Sequence, residues 1–197
     1  GSEMCIRDSD RAGRTMSRRR LAMSALGRAL ARTGDRAAID DLMRRFEDYA
    51  RAGTAARLKR PLDYFRGLMA WEEGRPREAA EALERAAEAL PAGLSKIGSG
   101  ILIHYHLGLA REKTGDAAGA AAAFDRILGS SRSRMEMGEV FPRAVLGKAR
   151  AEERLGRRAQ AVEGYRTFLR LWADADPGRP EVTEAKARLA ALAGPGA

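Results

Sequence analysis

The chain has 197 residues, 45% hydrophobic and 32% charged, so it can bury a core and is not disordered by composition. Its formal net charge of +9 admits nucleic acid as a partner. No apolar run reaches the roughly 18 residues that a membrane-spanning helix needs, so we expect no membrane insertion of this segment. The single cysteine, Cys5, excludes an intrachain disulfide and a zinc site built from cysteines.

The first nine residues show no hydrophobic periodicity and lack the apolar run of a signal peptide. They resemble a translated sequencing adaptor. We therefore expect residues 1–15 to be a non-native or disordered segment and residues 16–197 to form the folded unit. On this interpretation the native protein continues upstream, and the chain is a C-terminal fragment.

Small residues then recur in pairs seven residues apart. The pairs are Gly27/Gly34, Gly67/Gly74, Gly108/Gly115 and Ala149/Gly156, and their second members are separated by 40, 41 and 41 residues. Such regular steps are typical of a repeat protein. Each unit predicts a helix, a tight turn at the second glycine, and a second helix, because glycine suits the left-handed end of a helix. The first small residue would let a neighbouring helix approach closely.

An apolar stripe follows each turn, at five, nine and twelve residues beyond the glycine. The four units contribute Ile39, Met43 and Phe46; Ala79, Leu83 and Ala86; Ala120, Phe124 and Ile127; and Ala161, Tyr165 and Phe168. Spacings of four and three residues place each set on one face of a helix. We expect this face to be the buried side of every second helix.

This pattern resembles the tetratricopeptide repeat (TPR) family, and the second unit matches best. Its matching residues are Gly67, Gly74, Ala79, Leu83, Ala86 and Pro91. The resemblance implies an all-α, right-handed solenoid of about four helix-turn-helix repeats, over residues 17–52, 60–91, 98–130 and 140–173. Because the family step is about 34 residues, we expect extra residues between the repeats, at 53–60, 91–100 and 129–138.

The C-terminal region carries a second resemblance, through Tyr165, Phe168, Trp172, Pro177 and Leu189. It is similar to the last repeat and capping helix of TPR arrays in bacterial serine/threonine kinase or regulatory proteins. The resemblance implies a capping helix over residues 180–193 and a place in a larger bacterial signalling protein. We expect a polar outer face on this cap, which keeps a solenoid soluble, and we favour a cytoplasmic location.

The sequence offers no catalytic, metal or cofactor constellation. His104 and His106 are two residues apart, so on a helix they point to different faces and cannot share a metal well. His104 falls at a core-facing position of the repeat. The HExxH, phosphate-loop and GxSxG patterns are absent. We therefore predict a chain that is not an enzyme and that holds neither metal nor cofactor.

In TPR arrays the first helices line a concave groove, and the resemblance implies which positions meet a ligand. Mapped through the glycines, they include Arg28, Arg32, Tyr64, Leu68, Trp71, Tyr105, Leu109, Lys113, Arg150 and Arg154. Aromatic and arginine side chains dominate binding hot spots, so we predict a protein or peptide partner with acidic and apolar residues. The alternative for Tyr64 and Trp71 is a place in the core between repeats.

A basic helical repeat that binds nucleic acid is the alternative function. It requires arginines on one face together with stacking aromatic side chains. Many arginines here lie three or four residues from a glutamate, which favours ion-paired surfaces. The arginine excess also fits the composition of a GC-rich genome, since the chain has no asparagine. Nucleic acid is therefore the less favoured partner.

Overall fold

A computed structural model describes residues 35–52, 55–90, 98–130, 134, 138–176 and 178–193. Among these residues eight helices have described bounds, and no residue lies in a β-strand. The helices are α1 (Arg36–Ala52), α2 (Ala55–Glu72), α3 (Pro76–Glu88), α4 (Gly98–Thr114), α5 (Ala117–Leu128), α6 (Val140–Arg154), α7 (Arg158–Leu171) and α8 (Pro180–Ala193).

The helices form a stack of hairpins. Helices α2 and α3, α4 and α5, and α6 and α7 pack in pairs, and each pair packs on the next through α3 with α4 and α5 with α6. Helix α1 packs on α2 at one side, and α8 packs on α7 at the other. The first helices of successive hairpins also touch, α2 with α4 and α4 with α6. The predicted fold class, an all-helical solenoid of TPR-like repeats, is confirmed.

A glycine ends the first helix of each described hairpin. Gly74, Gly115 and Gly156 have φ angles of +72°, +86° and +72°. At the first turn the amide of Arg75 donates to the carbonyl of Ala70 at 2.8 Å, and that of Gly74 donates to Trp71 at 3.0 Å. The other two turns repeat this pair of hydrogen bonds. The left-handed turns predicted at these glycines are confirmed.

The small residue seven positions earlier meets the large residue of the second helix. A Cβ built on Gly67 would lie 2.5 Å from Leu83 Cγ, and one built on Gly108 would lie 2.6 Å from Phe124 Cε1. In the last hairpin the close approach is made by Gly164, whose Cβ would lie 2.7 Å from that of Ala149. The helices of each hairpin therefore touch where the side chains are smallest.

The predicted apolar stripe forms the core. Its members with at most 4% exposure are Ile39, Ala79, Leu83, Ala86, Ala120, Phe124, Ile127, Ala161, Tyr165 and Phe168. Met43 is half-buried, and the side chain of Phe46 lies outside the described residues. Burial of each large member contributes about 1.5–3 kcal/mol to stability.

One expected connection is helical instead. We expected residues 53–60 to separate the first two repeats, but α2 begins at Ala55. Residues 55–60 are strong helix formers, and the helix continues through Pro61 at its seventh position. The first helix of the first repeat, with Arg28 and Arg32, lies outside the described residues.

Candidate functional site

The first helices α2, α4 and α6 lie side by side and carry all the predicted ligand positions that the structure describes. We call the surface they share the first-helix face. Its members are Tyr64, Trp71, Tyr105, Leu109, Lys113, Arg150 and Arg154.

Tyr64 and Trp71 on α2 are both half-buried. They pack on the cluster of Ala70, Leu107 and Ala110, which joins α2 to α4. These two rings therefore help to join the hairpins and also retain an exposed part. The sequence left two alternatives for these residues, a binding groove and the core between repeats. Their partial burial is compatible with both.

Leu68 was predicted to contact a partner, but the structure places it in the core. It is 1% exposed and packs with Ile39, Leu42 and Phe65. Two of these neighbours lie on α1, whose apolar side covers this part of α2. Leu68 therefore belongs to the core and does not offer a contact to a partner.

Tyr105 and Leu109 on α4 are half-buried beside the core of the α4–α5 hairpin. The Tyr105 ring lies 6.4 Å from the ring of Phe124 and meets that of His106 edge-on at 5.5 Å. Burial raises the pKa of the Tyr105 phenol, although Arg143 and Arg150 oppose the rise. At neutral pH this residue therefore presents an uncharged hydroxyl next to an apolar surface.

Arg150 on α6 is held by carboxylates of this chain. Its guanidinium donates to Glu184 on α8 through two hydrogen bonds, of 2.7 and 2.5 Å. It also lies 3.9 Å from Glu112 on α4. Arg154 lies 3.4 Å from the same Glu112 carboxylate and donates to the Glu112 carbonyl at 3.0 Å. These two arginines are thus compensated by the protein itself.

Glu153 on α6 completes the charged end of the face. It accepts a hydrogen bond of 2.7 Å from the Tyr165 hydroxyl and is ion-paired with Arg188 on α8. Burial opposes its ionisation, but the hydrogen bonds from Arg188 and Tyr165 outweigh burial and hold the pKa of Glu153 below its usual range. With Arg150, Arg154, Glu112 and Glu184, these residues line a cavity of about 400 Å³.

Glu184 and Arg188 belong to the candidate site through their pairing with Arg150 and Glu153, and the sequence analysis missed them. Each lies 34 or 35 residues from its partner on α6, so local spacing could not reveal the pairs. A search for opposite charges about one repeat apart is the signal that could have found them. By contrast, Lys113 on α4 is exposed and makes no ion pair with the described residues.

The first-helix face thus has two parts. Half-buried aromatic and apolar side chains occupy α2 and α4, and compensated charges occupy the end formed by α6 and α8. Within the part of the chain that the structure describes, no three His, Cys, Asp or Glu side chains cluster closely enough to hold a metal ion. No helix there is long and apolar enough to cross a membrane.

No protein-family model and no curated protein matches the chain. Among solved structures, it is similar to the nearly identical TPR-like repeats of a protein described as a kinesin light chain from Podospora anserina. The two share 17% sequence identity with a TM-score of 0.69, over 88% of this chain and 85% of the other. At this identity the likeness concerns the fold alone.

Proposed function

We propose that this chain is a protein-interaction scaffold that captures a peptide or a partner protein on the first-helix face, without catalysis. The row formed by Tyr64, Trp71, Tyr105 and Leu109 carries the proposal, because these large aromatic and apolar side chains are only half-buried. Stacked helical repeats generally use such extended surfaces to bind proteins.

The structure also refines the chemistry of the proposed partner. Arg150 and Arg154 are already paired with Glu184 and Glu112, so they attract acidic groups less than the sequence suggests. Lys113 makes no ion pair within the described part of the chain and lies one helical turn after Leu109 on α4. The face therefore favours a segment with an apolar or aromatic anchor on α2 and α4 and an acidic residue near Lys113.

The resemblance of the tail to arrays in bacterial kinases and regulatory proteins supports a place in a larger, cytoplasmic signalling protein. In such a protein, a catalytic or regulatory domain would act while this chain recruits its target. Sequencing of the uncontaminated reading frame upstream of residue 10 tests this context. An upstream region without any signalling domain would contradict it.

A selection of 12-residue peptides displayed on phage against the chain, followed by binding measurements with the enriched peptides, tests the binding face. We expect Trp71→Ala to weaken binding at least tenfold and to lower the melting temperature only moderately, because the ring is half-buried and also packs between the hairpins. Lys113→Glu should weaken acidic peptides further. Glu81→Ala, on the exposed side of α3, is the matched control and should change nothing. Unaltered binding by Trp71→Ala would contradict the proposal, and strong unfolding would place Trp71 in the core.

The basic charge keeps nucleic acid as the competing function. Many arginines of the described helices nevertheless lie in ion pairs, such as Arg66 with Glu47 at 2.6 Å and Arg143 with Glu181 at 3.4 Å. We therefore expect no binding of single-stranded RNA at low salt. Binding that falls steeply as salt rises would favour the nucleic-acid function instead.

A further inference from the structure

Two buried polar residues occupy the same position in successive hairpins. Asp63 on α2 and His104 on α4 each lie eleven residues before the glycine of their turn, and they are 2% and 8% exposed. Arg85 on α3 and Arg126 on α5 likewise occupy one equivalent position, eleven residues after that glycine. The two hairpins therefore carry the same arginine but differ at the buried position, which is Asp63 in the first and His104 in the second.

In the α2–α3 hairpin the pair is an acid with a base. Asp63 Oδ1 lies 3.5 Å from Arg85 Nε and 3.5 Å from Arg66 Nη1, while Asp63 Oδ2 has no hydrogen-bond partner among the described residues. The Asp63 carboxylate thus places a negative charge beside Arg85, the basic residue of α3.

The α4–α5 hairpin has no acid at the position equivalent to Asp63. His104 replaces the aspartate, and its Nε2 atom has no hydrogen-bond partner among the described residues. Arg126 forms no ion pair with any residue that the structure describes, and its charge acts on His104 instead. Burial, and then the charge of Arg126, lower the pKa of His104, so this ring is neutral at neutral pH. The cation Arg126 and the buried ring of His104 thus lie together, and no described carboxylate is ion-paired with Arg126.

Both residues line a cavity of about 390 Å³ between α3 and α5, which we call the α3–α5 groove. Its apolar lining comes from Ala87, Leu90, Leu107, Ala122 and Ala123. Three further charged residues, Glu84, Glu88 and Arg111, complete the lining. Arg111 and Glu84 are ion-paired and cancel, which leaves Arg126 on α5 and Glu88 on α3 as the uncompensated charges.

We propose that the α3–α5 groove is a second binding site, which takes a partner-protein segment with one carboxylate beside an apolar residue. The carboxylate pairs with Arg126 and accepts a hydrogen bond from His104, and so takes the place that Asp63 holds in the preceding hairpin. The apolar neighbour packs on Leu107 and Ala123. The charge of Glu88 repels a polyanion, so the groove selects a single acid within an apolar sequence rather than a nucleic acid.

The pentapeptide acetyl-Ala-Leu-Glu-Leu-Ala-amide is a suitable probe, with its Gln analogue as the matched control ligand. The chain has two histidines, so the imidazole Cε1–H signal of His104 can be assigned by NMR with the variant His106→Gln. We expect a saturable shift of the His104 signal with the Glu peptide and at least tenfold weaker binding of the Gln peptide. Equal binding of both peptides, or no shift at millimolar concentration, would overturn the proposal.

Two variants test whether Arg126 and His104, rather than the rest of the groove, bind the carboxylate. Arg126→Gln should weaken the Glu peptide at least tenfold and leave the Gln peptide unaffected. His104→Asp restores the acid–base pair of the α2–α3 hairpin, so it should fold normally and abolish binding, as followed by the backbone amides of Ala87 and Ala123. His106→Gln should bind like the parent chain. Retained binding in either Arg126→Gln or His104→Asp refutes the site, as does an equal response to inorganic phosphate.

The two sites can be tested separately with an exposed residue of each. Lys113→Glu on the first-helix face should leave the response of His104 to the Glu peptide unchanged, while Arg126→Gln should leave the peptides selected on the first-helix face unaffected. Failure of either site is therefore visible without reference to the other.

Discussion

Glycines serve two different purposes in this chain. Gly115 is required by its backbone, since it has a φ of +86° and nothing lies within 4 Å of the Cβ that a side chain would add. Gly108 is required by space, because its Cβ would meet the ring of Phe124. The same ring lies against Gly147 on α6, so it has no room to move away. The two requirements call for different tests.

Gly108→Ala should lower the free energy of unfolding by about 1–3 kcal/mol, because the added methyl overpacks Phe124. Gly115→Ala should cost about 1–2 kcal/mol through its left-handed backbone. Urea denaturation measures both. The second substitution Phe124→Leu should relieve the first variant but not the second, and Gly138→Ala, which has open space and no positive φ, should be almost neutral. A rescue of both glycine variants by Phe124→Leu would contradict this distinction.

His104 makes the stability depend on pH in a definite direction. Its pKa is lowered in the folded protein, so the unfolded chain takes up a proton more readily, at about pH 6.5. The free energy of unfolding should therefore have its full value above pH 6.5. It should decrease as the pH falls below 6.5, by at most about 1.4 kcal/mol per pH unit.

Urea titrations at pH 8, 7, 6 and 5 measure this effect in the parent chain and in His104→Leu. The leucine variant should lose the decrease between pH 7 and 5, since no proton can then bind at this position. His106→Gln should keep it. An identical pH profile in the parent chain and His104→Leu would show that burial of His104 does not perturb its titration.

Helix α8 is held in place by α6 and α7. It packs on α7 through Ala185, which is completely buried against a cluster that includes Val145 and Phe168. Its Glu184 and Arg188 reach α6 and close the charged end of the first-helix face. The ring of Trp172, at the end of α7, contacts the guanidinium groups of Arg143 and Arg179, which lie 5.8 and 5.3 Å from the ring centroid. The cap is therefore held by packing, ion pairs and cation–π contacts together.

Ala185→Glu should detach α8, because it places an unpaired charge in the core. We expect a loss of about 3 kcal/mol in unfolding free energy. The same change at Ala187, which is exposed on the same helix, is the matched control and should cost less than about 0.5 kcal/mol. Thermal unfolding followed by circular dichroism distinguishes them. Similar losses in both variants would mean that helix propensity, not docking, sets the stability of the cap.

At the scale of the whole molecule, contacts are mainly between neighbours. Each hairpin packs on the next, and the two ends of the described stack do not meet in any helix pair with more than marginal contact. Stability in such a structure is approximately a sum over repeats and their interfaces. Local damage should therefore remain local, in contrast to a globular domain with one core.

Hydrogen exchange measured by mass spectrometry on Ala185→Glu tests this expectation. Exchange should accelerate strongly in α6, α7 and α8 and change little in α2 and α3, because the intervening α4–α5 hairpin keeps its own interfaces. Ala187→Glu should reproduce the parent pattern. Uniform acceleration over all hairpins would show that the stack unfolds as a single cooperative unit.

The amino-acid sequence by itself determined the helical class, the turns and the buried stripe. Gly74, Gly115 and Gly156 mark the turns because only glycine adopts their backbone without strain, and the spacing of Ala79, Leu83 and their equivalents follows from the pitch of a helix. These features depend on neighbours within about twenty residues, so they can be recognised in a linear pattern.

Only the tertiary structure decided which side chains remain available. It placed Leu68 under α1, paired Arg150 with Glu184, and left Arg126 without the acid that Arg85 has. Each of these outcomes joins residues from different helices, and several of the contacts join different hairpins. Burial and charge compensation depend on how the hairpins stack, so the period of a sequence can identify a face of the molecule but cannot show which of its charges are already paired.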